Sequence, residues 1–341
     1  MNEFSWIFLA ALFLMTATEL WLSMRQGKHV QAHRNKVPKA FEEQISLSAH
    51  QKAADYTVAK GRFGRKENVY GVIILLAWTF GGGLSLLSTA WDGLGLSPML
   101  TGILFLLSFI VIGSLLDLPF SYYRTFVLED KFGFNRNTPA LFFSDFIKQT
   151  LLTLIMGALL IWIALWMMQS TGEFWWLYLW AAWIGFALFM MWAYPAFIAP
   201  LFNKFTPLED ANLQQRVENL LARCGFKSQG IFVMDGSRRS GHGNAYFTGL
   251  GSNKRIVFFD TLLNTLNEDQ IEAVLAHELG HFRRKHVVKN MVVMAVISLI
   301  GLALLGWASN QTWFYEGLGV SQQSNAMALA LFMLVIPVFM F

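Results

Sequence analysis

Long apolar stretches separated by polar segments dominate the chain. The first apolar stretch runs from Phe4 to Leu22, and six more follow at about 69–90, 99–118, 150–168, 174–199, 287–308 and 326–341. An α-helix needs about 20 apolar residues to cross the ~30 Å hydrocarbon core of a bilayer. The last stretch reaches only about 24 Å at 1.5 Å per residue. The pattern predicts an α-helical polytopic membrane protein with about seven transmembrane helices.

The longest polar segment, residues 201–286, has a mixed pattern. Glu209 to Arg223 carries apolar residues at helical spacing before Gly225, which predicts an amphipathic helix, and Ile231–Met234 and Arg255–Phe259 have the composition of short strands. The glycine-rich stretch between the strands is open to two interpretations. It is either an ordinary flexible loop or an exposed strand edge that holds an extended peptide.

The composition agrees with a bilayer protein, because 55% of the residues are hydrophobic, 14% are charged and the mean hydropathy is +0.44. The net charge of +4 and the pI near 9.1 would also suit nucleic-acid binding. The positions of the basic residues give a different explanation. Segments 23–68, 119–149 and 200–289 contain ten, four and twelve Lys or Arg residues, which together are all 26. By the positive-inside rule these segments face the cytoplasm, and no nucleic-acid partner is needed.

The ends of the predicted spans add further detail. No Lys or Arg precedes Phe4, which predicts an uncleaved first helix with its N-terminus outside rather than a signal peptide. Glu19 and Asp117 lie inside predicted spans near their cytoplasmic ends, where they either line an internal cavity or reach the interface. The lone Cys224 excludes an internal disulfide, and we expect it to be a small buried residue.

The pattern H-E-x-x-H occurs at His277-Glu278-Leu279-Gly280-His281. On a helix the two histidines lie one turn apart, so both can bind a zinc ion at about 2.0–2.1 Å. Zinc lowers the pKa of its bound water to about 7, and Glu278 can accept the proton of that water during attack on a peptide carbonyl. The expected number of chance matches in this chain is about 0.005. The motif therefore predicts a zinc peptidase with His277 and His281 as ligands and Glu278 as general base.

The residues around the motif also favour a firmly packed helix. Asn267 and Gln270 have the spacing of a capping box, and acidic residues fill the first turns at Glu268, Asp269 and Glu272. A buried side is predicted at Ile271, Val274, Leu275, Leu279 and Phe282.

Four segments together resemble the type 1 CAAX prenyl proteases, which are integral-membrane zinc metallopeptidases. They are the H-E-x-x-H helix, Asn244–Gly249, Leu201–Leu208 and Glu129–Asn135. The resemblance implies a ring of seven helices around a water-filled chamber, closed by a small cytoplasmic α+β (gluzincin-like) zinc domain. It implies that a strand edge aligns the substrate, with His242, Asn244, Ala245, Tyr246 and Phe247 as the substrate-binding candidates.

The resemblance also leads us to expect a third zinc ligand, a glutamate in an E-x-x-x-D arrangement on a later helix. The chain has no such motif after His281, and Glu316 is predicted to lie outside, across the bilayer. His286 does not fit the extended H-E-x-x-H-x-x-G-x-x-H pattern, since positions 284 and 287 are Arg284 and Val287. We therefore expect the third ligand beyond Phe341, and little zinc binding or proteolysis from residues 1–341 alone.

The sequence thus predicts three regions: transmembrane helices with cytoplasmic loops (1–200), a cytoplasmic zinc-peptidase domain (201–286) and two further transmembrane helices, the second incomplete (287–341). The predicted function is a membrane zinc endopeptidase with one Zn²⁺ per chain. Its substrates would be CAAX-type prenylated or other membrane-associated proteins, and no oligomer is required. The alternatives are a bacterial membrane-protein quality-control protease, which favours the bacterial inner membrane over the endoplasmic reticulum, and a non-catalytic zinc-binding receptor or carrier.

Overall fold

The computed structural model describes residues 1–226, 228–248 and 255–340. The chain is mostly helical, with a small sheet. The α-helices are α1 (Glu3–Ala32), α2 (Leu47–Trp78), α3 (Gly83–Asp92), α4 (Pro98–Tyr123), α5 (Pro139–Ser170), α6 (Trp175–Ala193), α7 (Ala199–Phe202), α8 (Ala211–Arg223), α9 (Asp260–Leu263), α10 (Glu268–Arg283), α11 (His286–Ala308), α12 (Thr312–Glu316) and α13 (Asn325–Phe339). The strands are β1 (Phe205–Pro207), β2 (Ile231–Met234), β3 (Ala245–Thr248) and β4 (Arg255–Phe259).

The long apolar helices confirm a polytopic α-helical membrane protein. In the described part of the chain, five helical stretches are long and apolar enough to cross a bilayer, and six if the bent pair α2 and α3 forms one span. The five are Glu3–Ala32, Pro98–Glu129, Pro139–Ser170, Gly172–Phe202 and His286–Ala308. The predicted seventh span corresponds to α13, which is apolar but has only 15 residues.

The apolar stretch predicted as a span at 69–90 is broken in the structure. Helix α2 ends at Trp78 and α3 begins at Gly83, with a bend of 47° between them. Gly82 has φ +77°, a conformation that L-residues rarely adopt. A Cβ at Gly81 would lie 2.7 Å from the carbonyl oxygen of Ala77, so a side chain there would clash with the backbone. Consecutive glycines thus explain why the helix stops inside an apolar stretch.

The first of two compact units comprises Met1–Phe132, Thr150–Trp176 and Ala303–Phe341. In it α1 packs along α2 and α13, and α4 packs against α3 and α13. Phe8, Leu84 and Leu331 are fully buried in this unit. The carboxylate of Glu19 accepts a hydrogen bond from the Asn68 side chain.

The second compact unit comprises Gly133–Gln149 and Leu177–Leu302. Its sheet has the strand order β1-β2-β4-β3, in which β2 and β4 are parallel and the other pairs are antiparallel. Alternate strand residues, including Ile231, Ile256 and Phe258, join one hydrophobic core with the buried faces of α8 and α10. The predicted strands and amphipathic helix are therefore confirmed.

Cys224 is exposed, which contradicts the prediction of a small buried residue. Helix α8 ends at Arg223, and Gly225 reverses the chain with φ +65°. This turn places Phe226, rather than Cys224, in the core.

Candidate active site

The N-terminus of α10 is fixed by the predicted capping box. The Gln270 backbone amide donates to Asn267 Oδ1 at 2.9 Å, and the Asn267 amide donates to Gln270 Oε1 at 3.0 Å. These two bonds satisfy amides that would otherwise lack a partner at the helix start.

One side of α10 is buried and the other carries the histidines. Ile271, Leu275 and Leu279 are at most 3% exposed and pack in the core of the second unit, whereas His277 and His281 are exposed. The predicted buried side is thus present, with Val274 partly buried; the side chain of Phe282 lies outside the described residues. The packing of the buried side against the core fixes the position of the helix backbone that carries both imidazoles.

The acidic first turns of α10 have a partner that the sequence reasoning missed. Arg216 of α8 donates to Glu268 at 3.1 Å, to Asp269 at 2.5 Å and to Glu272 at 2.8 Å. Hydrogen bonds to these carboxylates raise the pKa of Arg216 above its ordinary value. The acids therefore complement both the helix dipole and a cation on the neighbouring helix. The spacing of the acids on α10 was visible in the sequence, but the approach of α8 was not.

The two histidines of the motif converge on one point. His277 Nε2 and His281 Nε2 are 3.3 Å apart, with the rings inclined at 71°. Two zinc–nitrogen bonds of about 2.0–2.1 Å at a tetrahedral angle place their nitrogens about 3.3–3.4 Å apart. The imidazole pair therefore fits a zinc ion bound through both Nε2 atoms.

His286 lies on the opposite side of the His281 ring. Its Nδ1 is 2.9 Å from His281 Nδ1. A metal held by His281 Nε2 would therefore lie on the far side of that ring from His286. His286 is therefore a hydrogen-bond partner of His281, a contact that sequence spacing did not predict.

Asp260 makes its hydrogen bonds to nearby backbone and side-chain groups rather than to the histidines. Its Oδ1 accepts hydrogen bonds of 2.7 Å from the amides of Ser237 and Thr261, and its Oδ2 accepts one from the Ser237 hydroxyl. Among the described residues, no group of three or more His, Cys, Asp or Glu could hold a metal ion. Glu278 is half-buried directly after His277.

The predicted strand edge is formed by β3, which lies beside α10 at the edge of the sheet. Ala245 is buried in the core and Phe247 packs against it, so those side chains face away from Tyr246. Burial raises the pKa of Tyr246. Asn244 O accepts from the Phe259 amide at 2.9 Å, and the His242 ring stacks on Phe134 with centroids 4.2 Å apart. Gly249, the last residue of the motif, lies outside the described residues.

This arrangement defines a class of protein: a multi-pass membrane protein that carries an H-E-x-x-H helix beside a mixed sheet. Comparisons with known proteins specify the family. Residues 26–204 match the family model described as "CAAX prenyl protease N-terminal, five membrane helices", and residues 207–340 match "Peptidase family M48".

Curated relatives and a solved structure agree with these matches. The chain is 34% identical over 329 residues to CAAX prenyl protease 1 homolog of Arabidopsis thaliana, covering 94% of this chain and 77% of that protein. It is 36% identical over 315 residues to CAAX prenyl protease 1 of Saccharomyces cerevisiae, and the match covers 88% of this chain and 68% of that protein. The crystal structure of S. mikatae Ste24p superposes with a TM-score of 0.90 at 30% identity and covers 99% of this chain and 83% of that one. The chain belongs to the CAAX prenyl protease family and is a membrane metallopeptidase of family M48.

Proposed function

We propose that this protein is a zinc-dependent membrane endopeptidase in which His277 and His281 bind the metal and Glu278 is the general base. The observation that carries the proposal is the 3.3 Å separation of the two Nε2 atoms on a helix whose other face is buried. A zinc ion bound there would act as a Lewis acid and lower the pKa of a coordinated water to about 7.

The protein side chains have separate roles in this proposal. Both imidazoles bind through Nε2, which requires that each ring be neutral and carry its proton on Nδ1. Glu278 accepts the proton of the attacking water and later delivers it to the leaving amine. The adjacent edge of β3 aligns an extended peptide through main-chain hydrogen bonds, with Tyr246, His242 and Asn244 near the peptide.

We further propose that the substrates are prenylated proteins with CAAX-type C-termini or other membrane-associated proteins. Support comes from the relatives, which carry the name CAAX prenyl protease 1. The relatives named here are from eukaryotes, and they give no support to the bacterial inner membrane over the endoplasmic reticulum.

Glu278→Gln tests the assigned base. The variant should retain bound zinc, because the amide replaces a group that is not a ligand, and should lose about 10²–10⁴-fold in kcat. Cleavage of a farnesylated CAAX peptide and zinc content are measured in detergent on the complete protein. Glu218→Gln is the matched control, since Glu218 is an exposed carboxylate on α8 that accepts a hydrogen bond from the neighbouring Gln214 side chain. Wild-type turnover by Glu278→Gln would refute the role of Glu278.

A structural zinc in a receptor or carrier predicts a different response to chelators. Removing a catalytic zinc abolishes cleavage and leaves the fold intact, whereas removing a structural zinc unfolds the domain. Measuring cleavage and circular dichroism during chelation, and again after zinc is restored, separates the two functions.

A further inference from the structure

The segment that leads into β3 is held by a second segment from before α5. Gly241 donates its amide to Phe134 O at 2.8 Å, Arg136 donates to Arg239 O at 3.2 Å, and Asn135 forms an isolated antiparallel bridge with Ser240. We call these paired segments, 133–136 and 239–242, the clamp. A stretch that glycine content marks as flexible is therefore fixed by backbone pairing.

An ion pair reinforces the clamp. Arg239 Nε donates to Asp145 Oδ2 at 2.7 Å, and its Nη2 donates to Asp145 Oδ1 at 3.1 Å. The remaining Nη1 donates to Asn203 Oδ1 at 3.0 Å. Both charged side chains are only about one-fifth exposed, and Lys148 Nζ lies 4.0 Å from the same carboxylate. A bidentate pair of this kind fixes orientation as well as distance.

Hydrogen bonds also hold the chain from the end of the clamp to the start of β3. Thr261 Oγ1 donates to His242 O at 2.9 Å, and the Phe259 amide donates to Asn244 O at 2.9 Å. A Cβ at Gly243 would lie 3.2 Å from Leu262, which shows how closely the backbone approaches α9. Four residues after Gly241, β3 begins at Ala245.

We propose that Arg239 and Asp145 are positioning residues. They keep the segment that leads into β3 ordered, so that β3 can bind an extended peptide substrate. The inference rests on the proposed peptidase function. An edge strand that is already ordered binds a peptide without the entropic cost of ordering itself. Neither residue touches the reacting atoms in this proposal, so the effect acts on substrate binding rather than on the chemical step.

Asp145→Asn is the test. The amide cannot form the charged bidentate pair, and Arg239 and Lys148 lose their common counter-charge. We expect KM for a farnesylated CAAX peptide to rise about tenfold while kcat changes less than about threefold. The Kd of the same peptide should rise equally in a Glu278→Gln background, and hydrogen exchange at the amides of 241–247 should become faster. Asp145→Glu, which keeps the carboxylate, should recover part of the affinity.

Asp55→Asn is a matched control. Arg34 donates to Asp55 through Nε at 2.7 Å and Nη2 at 2.8 Å, which is the same bidentate chemistry in the other compact unit. This variant should leave KM and exchange in 241–247 unchanged.

The outcomes separate the two proposals. Unchanged KM and unchanged exchange in Asp145→Asn, with an active wild type, would overturn the positioning role alone. A general loss of kcat and zinc content in Asp145→Asn would also overturn it, because that result indicates disruption of the fold or metal site. Failure of the complete wild-type protein to cleave any peptide, with zinc bound, would instead count against the proposed peptidase function.

Discussion

The two ring nitrogens of His281 contact two different histidines. Nε2 lies near His277 Nε2, and Nδ1 lies 2.9 Å from His286 Nδ1. If Nε2 binds a metal, the ring proton is on Nδ1, and His286 Nδ1 must then be the acceptor. A hydrogen bond of this kind fixes both the tautomer and the orientation of a ligand. The short turn between α10 and α11, in which Lys285 has φ +55°, brings His286 into this position.

We expect His286→Ala to weaken zinc binding about 10–100-fold, because the Nδ1 proton of His281 loses its acceptor. His286→Asn keeps an acceptor oxygen and should retain most of the affinity. Competition with a chromophoric chelator measures the zinc Kd without reference to activity. His50→Ala, in the first compact unit, is the control. Equal affinities for wild type and His286→Ala would show that His286 does not support His281.

At the scale of elements, α10 is the helix whose position matters most to the candidate site. Three independent features fix it: the capping box at Asn267, the cluster of three carboxylates on Arg216, and the buried stripe of Ile271, Leu275 and Leu279. The stripe supplies most of the stabilisation, since surface ion pairs contribute little and a cap contributes about 1 kcal/mol.

Asn267→Ala should destabilise the first turns of α10 by about 1 kcal/mol. Asn267→Gly should destabilise them by only about a few tenths of a kcal/mol. The expected result is about fivefold faster hydrogen exchange at amides 270–274, measured by mass spectrometry under conditions where exchange reports the opening equilibrium. Ser46→Ala is the control, because Ser46 caps α2 through the Ala49 amide at 3.2 Å. It should affect exchange at the start of α2 and leave α10 unchanged. Equal exchange of α10 in Asn267→Ala and wild type would contradict the capping role.

At the scale of the whole molecule, the charge distribution predicts the orientation in the membrane. All 26 Lys and Arg residues lie in three of the polar segments. This asymmetry predicts that segments 23–68, 119–149 and 200–289 face the cytoplasm, together with the candidate zinc site.

The exposed Cys224 is a natural reporter of this orientation, as it is the only cysteine in the sequence. We expect an impermeant maleimide to leave Cys224 unlabelled in sealed cells and to label it after permeabilisation. In a Cys224→Ser background, Ser97→Cys and Ser321→Cys should be labelled from outside, since both positions are exposed and lie in segments without basic residues. Labelling of Cys224 in sealed cells would show that the predicted orientation in the membrane is wrong.

Features that depend on neighbouring residues or on composition could be predicted from the amino-acid sequence alone. Periodicity and caps predicted α8, α10, β2 and β4, because helix and strand patterns repeat within a few residues. The four-residue spacing of His277 and His281 predicted convergence on one face, and apolar length predicted spanning helices.

Contacts between distant segments became visible only in the tertiary structure. Arg239 and Asp145 are 94 residues apart, and Arg216 is 52 to 56 residues from its three carboxylates. No local pattern encodes such pairs, since they form only when the sheet and helices have packed. The same reason explains Cys224, whose exposure depends on which way the chain turns at Gly225.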